Sequence, residues 1–186
     1  MNKFDSKSTL IIVALELELP RHLLPGWNII YSGVGKINAS SSLCDSIPIY
    51  NPETVINFGS AGTLRKDLSG IHEVTRFIQR DMDATGLGFD LGQTPYEDGL
   101  AIELPRNGLT CGTGDQFVTT HPTLDSDLVD MEAFALAKIC VQKGVDFYCF
   151  KFVSDNADDD ASIDWNKMLD KGARLFTEII RDQQKP

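Results

Sequence analysis

Short apolar runs that stop at a small residue or a carboxylate recur along this chain, and that recurrence constrains the fold more than any other feature. STLIIVAL (8–15) gives way to acids, and WNIIYSG (27–33) closes on Ser32-Gly33. TVINF (54–58) runs into Gly59-Ser60-Ala61-Gly62, and VDFYCFKFVS (145–154) meets Asp155. Each run is rich in β-branched or aromatic residues and bounded by turn chemistry, which predicts buried strands. Helical patterns lie between them. GKINASSSLCDSI (35–47) opens on the Gly33-Val34-Gly35 turn, and MEAFALAKICVQK (131–143) gathers Phe134, Ala137, Ile139 and Cys140 before Gly144, a C-cap residue. A last helix is expected from about Asp164 to Asp182, with Trp165, Met168, Leu169, Phe176, Ile179 and Ile180 as its apolar stripe. IHEVTRFIQ (71–79) reads as a further strand, NGLTCGTGDQFV (107–118) as a short strand and a glycine turn, and 81–100 as a long turn-rich loop. Strands alternating with helices predict an α/β fold: a three-layer α/β/α domain with a central mixed, mostly parallel sheet.

Composition narrows the class of function. The 186 residues suffice for one domain, spanning 1–186, that buries a substantial core. A hydrophobic share of 42% and a mean hydropathy of -0.13 are those of an ordinary globule. No stretch approaches the roughly 20 apolar residues a membrane helix needs. Lys3 and Lys7 precede only a short apolar run, and Glu16 and Glu18 follow it without a small-residue cleavage site, so the run reads as a strand rather than a signal peptide. A net charge of -10 argues against a nucleic-acid or anionic-membrane partner, since both need a basic face. Cys44, Cys111, Cys140 and Cys149 sit far apart, with no CxxC pair and no grouping with His22, His72 or His121. They read as reduced, mostly buried thiols of a cytoplasmic protein, with no metal and no cofactor expected.

In open α/β sheets a ligand lies outside the carboxyl ends of the strands. Ser32-Gly33, Gly59-Ser60-Ala61-Gly62, Thr113-Gly114-Asp115 and Ser154-Asp155 therefore predict a small-molecule site assembled from separate turns. No single motif identifies it. GVGKIN (33–38) lacks the third glycine of a dinucleotide fingerprint and the acid about 20 residues further on. DNADDDA (155–161) fails as a calcium loop, because its sixth position is Asp160 and its twelfth Asn166. Asp158, Asp159 and Asp160 read as a solvated cluster at a helix start. Glu16 and Glu18 share a face by period two and could be solubilising edge acids, and Asp130-Met131-Glu132 suits the start of a helix. Glu18, Glu132 and Asp155, at the ends of separate elements around glycine turns, together point to acid/base work on a neutral, hydroxylated substrate.

The ordered segments Gly33-Val34-Gly35-Lys36-Ile37-Asn38-Ala39, Asn57-Phe58-Gly59-Ser60-Ala61-Gly62, Thr113-Gly114-Asp115-Gln116-Phe117, Val129-Asp130-Met131-Glu132 and Val153-Ser154-Asp155-Asn156-Ala157-Asp158 carry a resemblance. The chain resembles the purine nucleoside phosphorylase/nucleosidase superfamily, and within it the 5'-methylthioadenosine/S-adenosylhomocysteine nucleosidases, from Leu10 to the final helix. The resemblance implies cleavage of a ribosyl C1'–N9 bond in a purine nucleoside. Asp155 matches the general acid that protonates or hydrogen-bonds purine N7, with Ser154 orienting it, and Glu18 matches the glutamate that activates water. Met131 and Glu132 match the ribose-binding pair. Phe117 is expected to stack on the base, with the Val118 backbone reading its edge, and Ser60, Ala61 and Gly62 to line the site. Leu15 and Val34 fall where the 5' pocket begins.

The resemblance also carries departures. The chain is short for the family, lacking a hairpin between Pro20 and Trp27 and helical segments near Pro105 and between Val118 and Leu128. Asp83-Ala84-Thr85, Gly88-Phe89 and Gly92-Gln93 match the family's dimer-contacting loop, which implies a homodimer. Phe58 stands near where related phosphorylases place an arginine, Glu18 would repel phosphate, and Arg21 and Arg65, the nearby cations by sequence, lie in no phosphate-binding motif, which together favour hydrolysis. A phosphorolytic enzyme and a nucleoside-binding protein without turnover remain the alternatives. Trp165 is assigned either to the pocket or to the core of the final helix.

Overall fold

β1 (Thr9–Val13) is buried at every residue, so both of its faces must be covered. It pairs in parallel with β2 (Asn28–Tyr31) on one side and β3 (Thr54–Thr63) on the other. The computed structural model describes residues 4–157 and 161–184, and among these eight strands form one sheet. β4 (Gly70–Gln79), β5 (Ala101–Glu103), β6 (Leu109–Thr113), β7 (Leu128–Asp130) and β8 (Asp146–Asp155) complete it. Leu10 and Ile12 of β1 pack into one core with Ala39 and Leu43 of α1 (Lys36–Tyr50) and with Phe134, Leu136 and Ala137 of α2 (Ala133–Lys143). Ile11 and Val13 point the other way, by the period of two, into a second core with Ala173, Phe176 and Ile180 of α3 (Ala161–Gln183). Phe176 stacks on Phe58 there, with ring centroids 4.3 Å apart. Helices on both faces of a mixed sheet make the three-layer α/β architecture that the pattern predicts.

The sheet differs from an open one. β8 runs parallel to β3 and antiparallel to β4, β4 pairs in parallel with β6, and β6 with β7. β7 then returns antiparallel to Gly62 and Thr63 of β3, so the path β3-β8-β4-β6-β7-β3 closes on itself. Three-residue β5 follows the loop read over 81–100, and β7 runs into the residues read as a helix start; three residues are too few to show a periodicity.

Two further boundaries move. Gly59-Ser60-Ala61-Gly62 is not a turn: it continues β3, whose residues 54–61 stay in register with 146–153 of β8, with a shift at Ala61/Gly62. The main-chain ladder outweighs the weak strand preference of these small residues, and their small side chains leave one face of the strand open. Asp130-Met131-Glu132 does not open a helix but ends β7 and leads into α2, which starts at Ala133. The space between Pro20 and Trp27 holds a short 3-10 turn, Arg21–Leu23. The Asp158–Asp160 cluster lies outside the described residues, and so do the side chains of Asp164 and Trp165.

Candidate active site

The carboxyl ends of the strands converge on a cavity of about 270 Å³. β1 and the turn after it contribute Leu15 and Glu18, the β2–α1 turn Val34, and β3 Ser60, Ala61 and Gly62. Phe117 and Val118 come from the segment after β6, Met131 and Glu132 from the link between β7 and α2, and Ser154 and Asp155 from the end of β8. Every site residue selected from the sequence therefore lines one cavity.

Glu18 and Glu16 do not share a strand face as the period of two predicts. A turn closed by Glu18 N donating to Leu15 O, at 3.0 Å, buries Glu18 and leaves Glu16 exposed. Glu18 Oε1 accepts from Ser60 N at 2.8 Å and from Ser60 Oγ at 2.6 Å, while Leu15 N donates to Oε2 at 3.2 Å. Asp155 is held as tightly: Ser154 Oγ donates to Oδ2 at 2.7 Å and Ala157 N to Oδ1 at 2.9 Å. A side chain on Gly62 would place its Cβ 2.7 Å from Asp155 Oδ1, so the strand passes the acid with no room for one.

Glu132 accepts from Gly35 N at 2.8 Å. Gly35 has φ 96°, a conformation that favours glycine, and stands at the N-cap of α1. Burial, reinforced by the charge of Asp130 and only partly offset by Lys151, pushes the Glu132 carboxyl up to about 7.

Beneath the pocket lies a group that the sequence reading did not single out. Lys151 of β8 is 1% exposed, and its Nζ stands 2.8 Å from Asp130 Oδ2, also fully buried. Asp130 further accepts from Thr113 Oγ1 at 2.5 Å and from the backbone N–H groups of Glu132 and Ala133, where α2 begins, at 3.1 and 2.8 Å. Burial alone would push the Asp130 carboxyl up; the Lys151 charge and these hydrogen bonds outweigh it and hold the carboxyl low. Burial likewise opposes the Lys151 ammonium, and the Asp130 charge reverses that and raises its pKa. Among the described residues no three His, Cys, Asp or Glu side chains are grouped as a metal site. Cys111, Cys140 and Cys149 are buried free thiols, and burial pushes the last two up to about 12.

A comparison with protein-family models finds no match. Among curated proteins, the 5'-methylthioadenosine/S-adenosylhomocysteine nucleosidase of Staphylococcus carnosus is 31% identical over 183 residues, covering 83% of this chain and 79% of that protein. The chain belongs to this nucleosidase family. The enzyme of the same name from Shewanella oneidensis is 29% identical over 188 residues, covering 83% of this chain and 78% of its own. Solved structures share the fold. A Helicobacter pylori 5'-methylthioadenosine/S-adenosylhomocysteine nucleosidase in complex with a pyrrolidin-3-ol compound has a TM-score of 0.84 at 22% identity, over 97% of this chain and 98% of that one. A futalosine hydrolase mutant of the same organism also reaches 0.84, at 20% identity, over 94% and 97%.

The cations near the site by sequence, Arg65 and Arg21, are engaged elsewhere. Arg65 is bound to Asp67 and Asp127 at 2.8 and 2.9 Å, and Arg21 donates to Ile29 O and lies over the Tyr31 ring. Neither lines the cavity; Arg80, from the end of β4, does. Sequence reasoning missed Arg80, Asp130 and Lys151 for one reason: each sits in or beside a strand whose pairing brings it to the pocket, and pairing is not written in local pattern.

Proposed function

We propose that this nucleosidase hydrolyses the N-glycosidic bond of a purine nucleoside, with 5'-methylthioadenosine and S-adenosylhomocysteine as the substrates to test. The observation that carries the reading is the convergence of Glu18, Glu132 and Asp155 on one cavity, each carboxylate fixed by directed hydrogen bonds. Asp155 donates to purine N7, so that the electrons of the C1'–N9 bond leave with a neutralised base. Glu18 takes a proton from the water that attacks C1', and the products are the free base and the free sugar. Glu132 accepts from the ribose hydroxyls beside Met131, Phe117 stacks on the base and Val118 reads its edge. Leu15 and Val34 make the start of the 5' pocket apolar.

Hydrolysis is favoured over phosphorolysis by the charges around the site. Glu18 faces Ser60 and would repel phosphate, while Lys151 is already paired with Asp130. We read the protein as a homodimer as well, with the exposed Leu87, Tyr96 and Val141 in the contact; sedimentation at micromolar concentration checks this. The experiment for the reaction is adenine release from 5'-methylthioadenosine with and without phosphate. Equal release in both, with free methylthioribose, is expected. Release that depends on phosphate would make the protein a phosphorylase, and binding without release would leave it a nucleoside-binding protein.

A further inference from the structure

Arg80 has no part in the chemistry described above, yet its side chain performs an unusual task for a pocket residue. Its backbone N–H donates to Thr113 O at 2.9 Å, the last rung where β4 meets β6. Past that rung the strands separate, and the guanidinium continues the connection. Nη2 donates to Gly114 O at 3.1 Å and to Gln116 O, so one nitrogen clamps both carbonyls of the turn that delivers Phe117 and Val118. Arg80 is half-buried, and its Nε is out of reach of water. Gly114 makes the seat: a Cβ there would stand 2.8 Å from Arg80 Cζ and 2.9 Å from Nη1. The other side of the turn is tied by Asp115 N donating to Asp81 Oδ2 at 2.9 Å and by Lys36 bridging to Asp81.

We propose that Arg80 is the positioning residue for base recognition: with Gly114 as its seat, it holds the 114–116 turn so that Phe117 and Val118 meet the base. The inference rests on the reading of this cavity as a nucleoside site. Phe117 is 52% exposed and follows a segment rich in small and polar residues, so little else on its own side fixes it. A guanidinium nitrogen donating to two carbonyls is charge-assisted, and a shorter or uncharged side chain does not reproduce it. Because the clamp acts on the base and not on C1' or water, its loss is felt in ground-state and transition-state binding alike, raising KM and leaving kcat in place.

The test is steady-state turnover of 5'-methylthioadenosine by R80M, R80K, R80A, G114A and the double variant R80A/G114A. R80M is expected to raise KM by about tenfold or more with kcat within about threefold, and R80K to recover part of the loss. G114A is expected to raise KM similarly in the wild-type background, because its methyl group displaces the guanidinium. In the R80A background the same substitution should change KM less than about twofold, a non-additivity that only direct coupling between the two positions gives. Amide exchange at residues 116–118 should quicken in R80A while β8 stays protected, and this readout does not need turnover. A KM within about twofold of wild type in R80M, or fully additive effects of R80A and G114A, overturns the Arg80 role and leaves the nucleosidase reading intact. A kcat loss with KM unchanged overturns it equally, since it would place Arg80 in the chemical step. A wild-type protein that neither binds nor cleaves a nucleoside overturns both.

Discussion

Replacing Lys151 by methionine removes the cation paired with Asp130 on the pocket floor and keeps a side chain of similar length. Both partners are buried and 2.8 Å apart, so the variant strands a carboxylate away from water. Breaking a buried pair from one side costs about 3–5 kcal/mol, a large part of the roughly 5–15 kcal/mol that holds a domain folded. For a chain of this length that is a fall in Tm of about 6–20 °C. The loss should depend on pH with a definite sign. In the wild type the Asp130 carboxyl is held low, so its contribution is present at neutral pH and is lost only as pH falls through that low value. In K151M its pKa rises above the unfolded value. The folded state then keeps a proton the unfolded chain has released, and stability falls as pH rises. Thermal and urea melts at about pH 5 and pH 8 should therefore show a larger gap between the two proteins at the higher pH. A gap below about 1 kcal/mol, or one equal at both pH values, would refute the reasoning.

The remaining predictions concern turnover. Asp155→Asn should lose roughly 10²–10⁴-fold in kcat with an unchanged melt, because the amide cannot deliver the proton; near-normal rates would remove Asp155 from that role. Glu18→Gln should lose a comparable factor, about 10²-fold or more, yet still bind a substrate analogue by calorimetry. Gly62→Ala places a methyl group 2.7 Å from Asp155 Oδ1, and displacement of the acid by even a fraction of an ångström should cost about 10²-fold in kcat. In the proposed role Glu132 accepts the sugar hydroxyls most strongly as the carboxylate, and burial pushes its carboxyl up to about 7, so kcat/KM should fall as pH drops below that value. Glu132→Gln should lose that limb of the profile.

Much of this site was legible because it sits at strand ends, where the sequence changes character abruptly. The apolar run of residues 145–154 followed by Asp155 marks both β8 and its acid, and alternation does not have to be guessed when a strand is buried on both faces. The failures have a common physical cause. Gly59 to Gly62 look like a turn, yet eight residues of ladder with β8 hold them in a strand. Glu18 looks like a solvated edge acid until the Leu15 turn carries it inward to Ser60. Lys151 looks like an interruption in an apolar strand, and only the antiparallel return of β7 explains it by setting Asp130 opposite. Local pattern records what a residue prefers; it does not record which distant strand will stand beside it.

Asp130 joins events that are usually separate in a folding chain. The same carboxylate starts α2, receives Thr113 from β6 and neutralises Lys151 on β8. A partly folded chain in which α2 has peeled away would lose the Glu132 and Ala133 N–H contacts, loosen the carboxylate and expose an ammonium to an apolar interior without its counter-charge. Such states stand high in free energy, so α2 and the strands beneath the pocket are expected to melt as one cooperative unit. Slow hydrogen exchange would then extend from the middle of the sheet into the first turn of α2, where helices ordinarily fray.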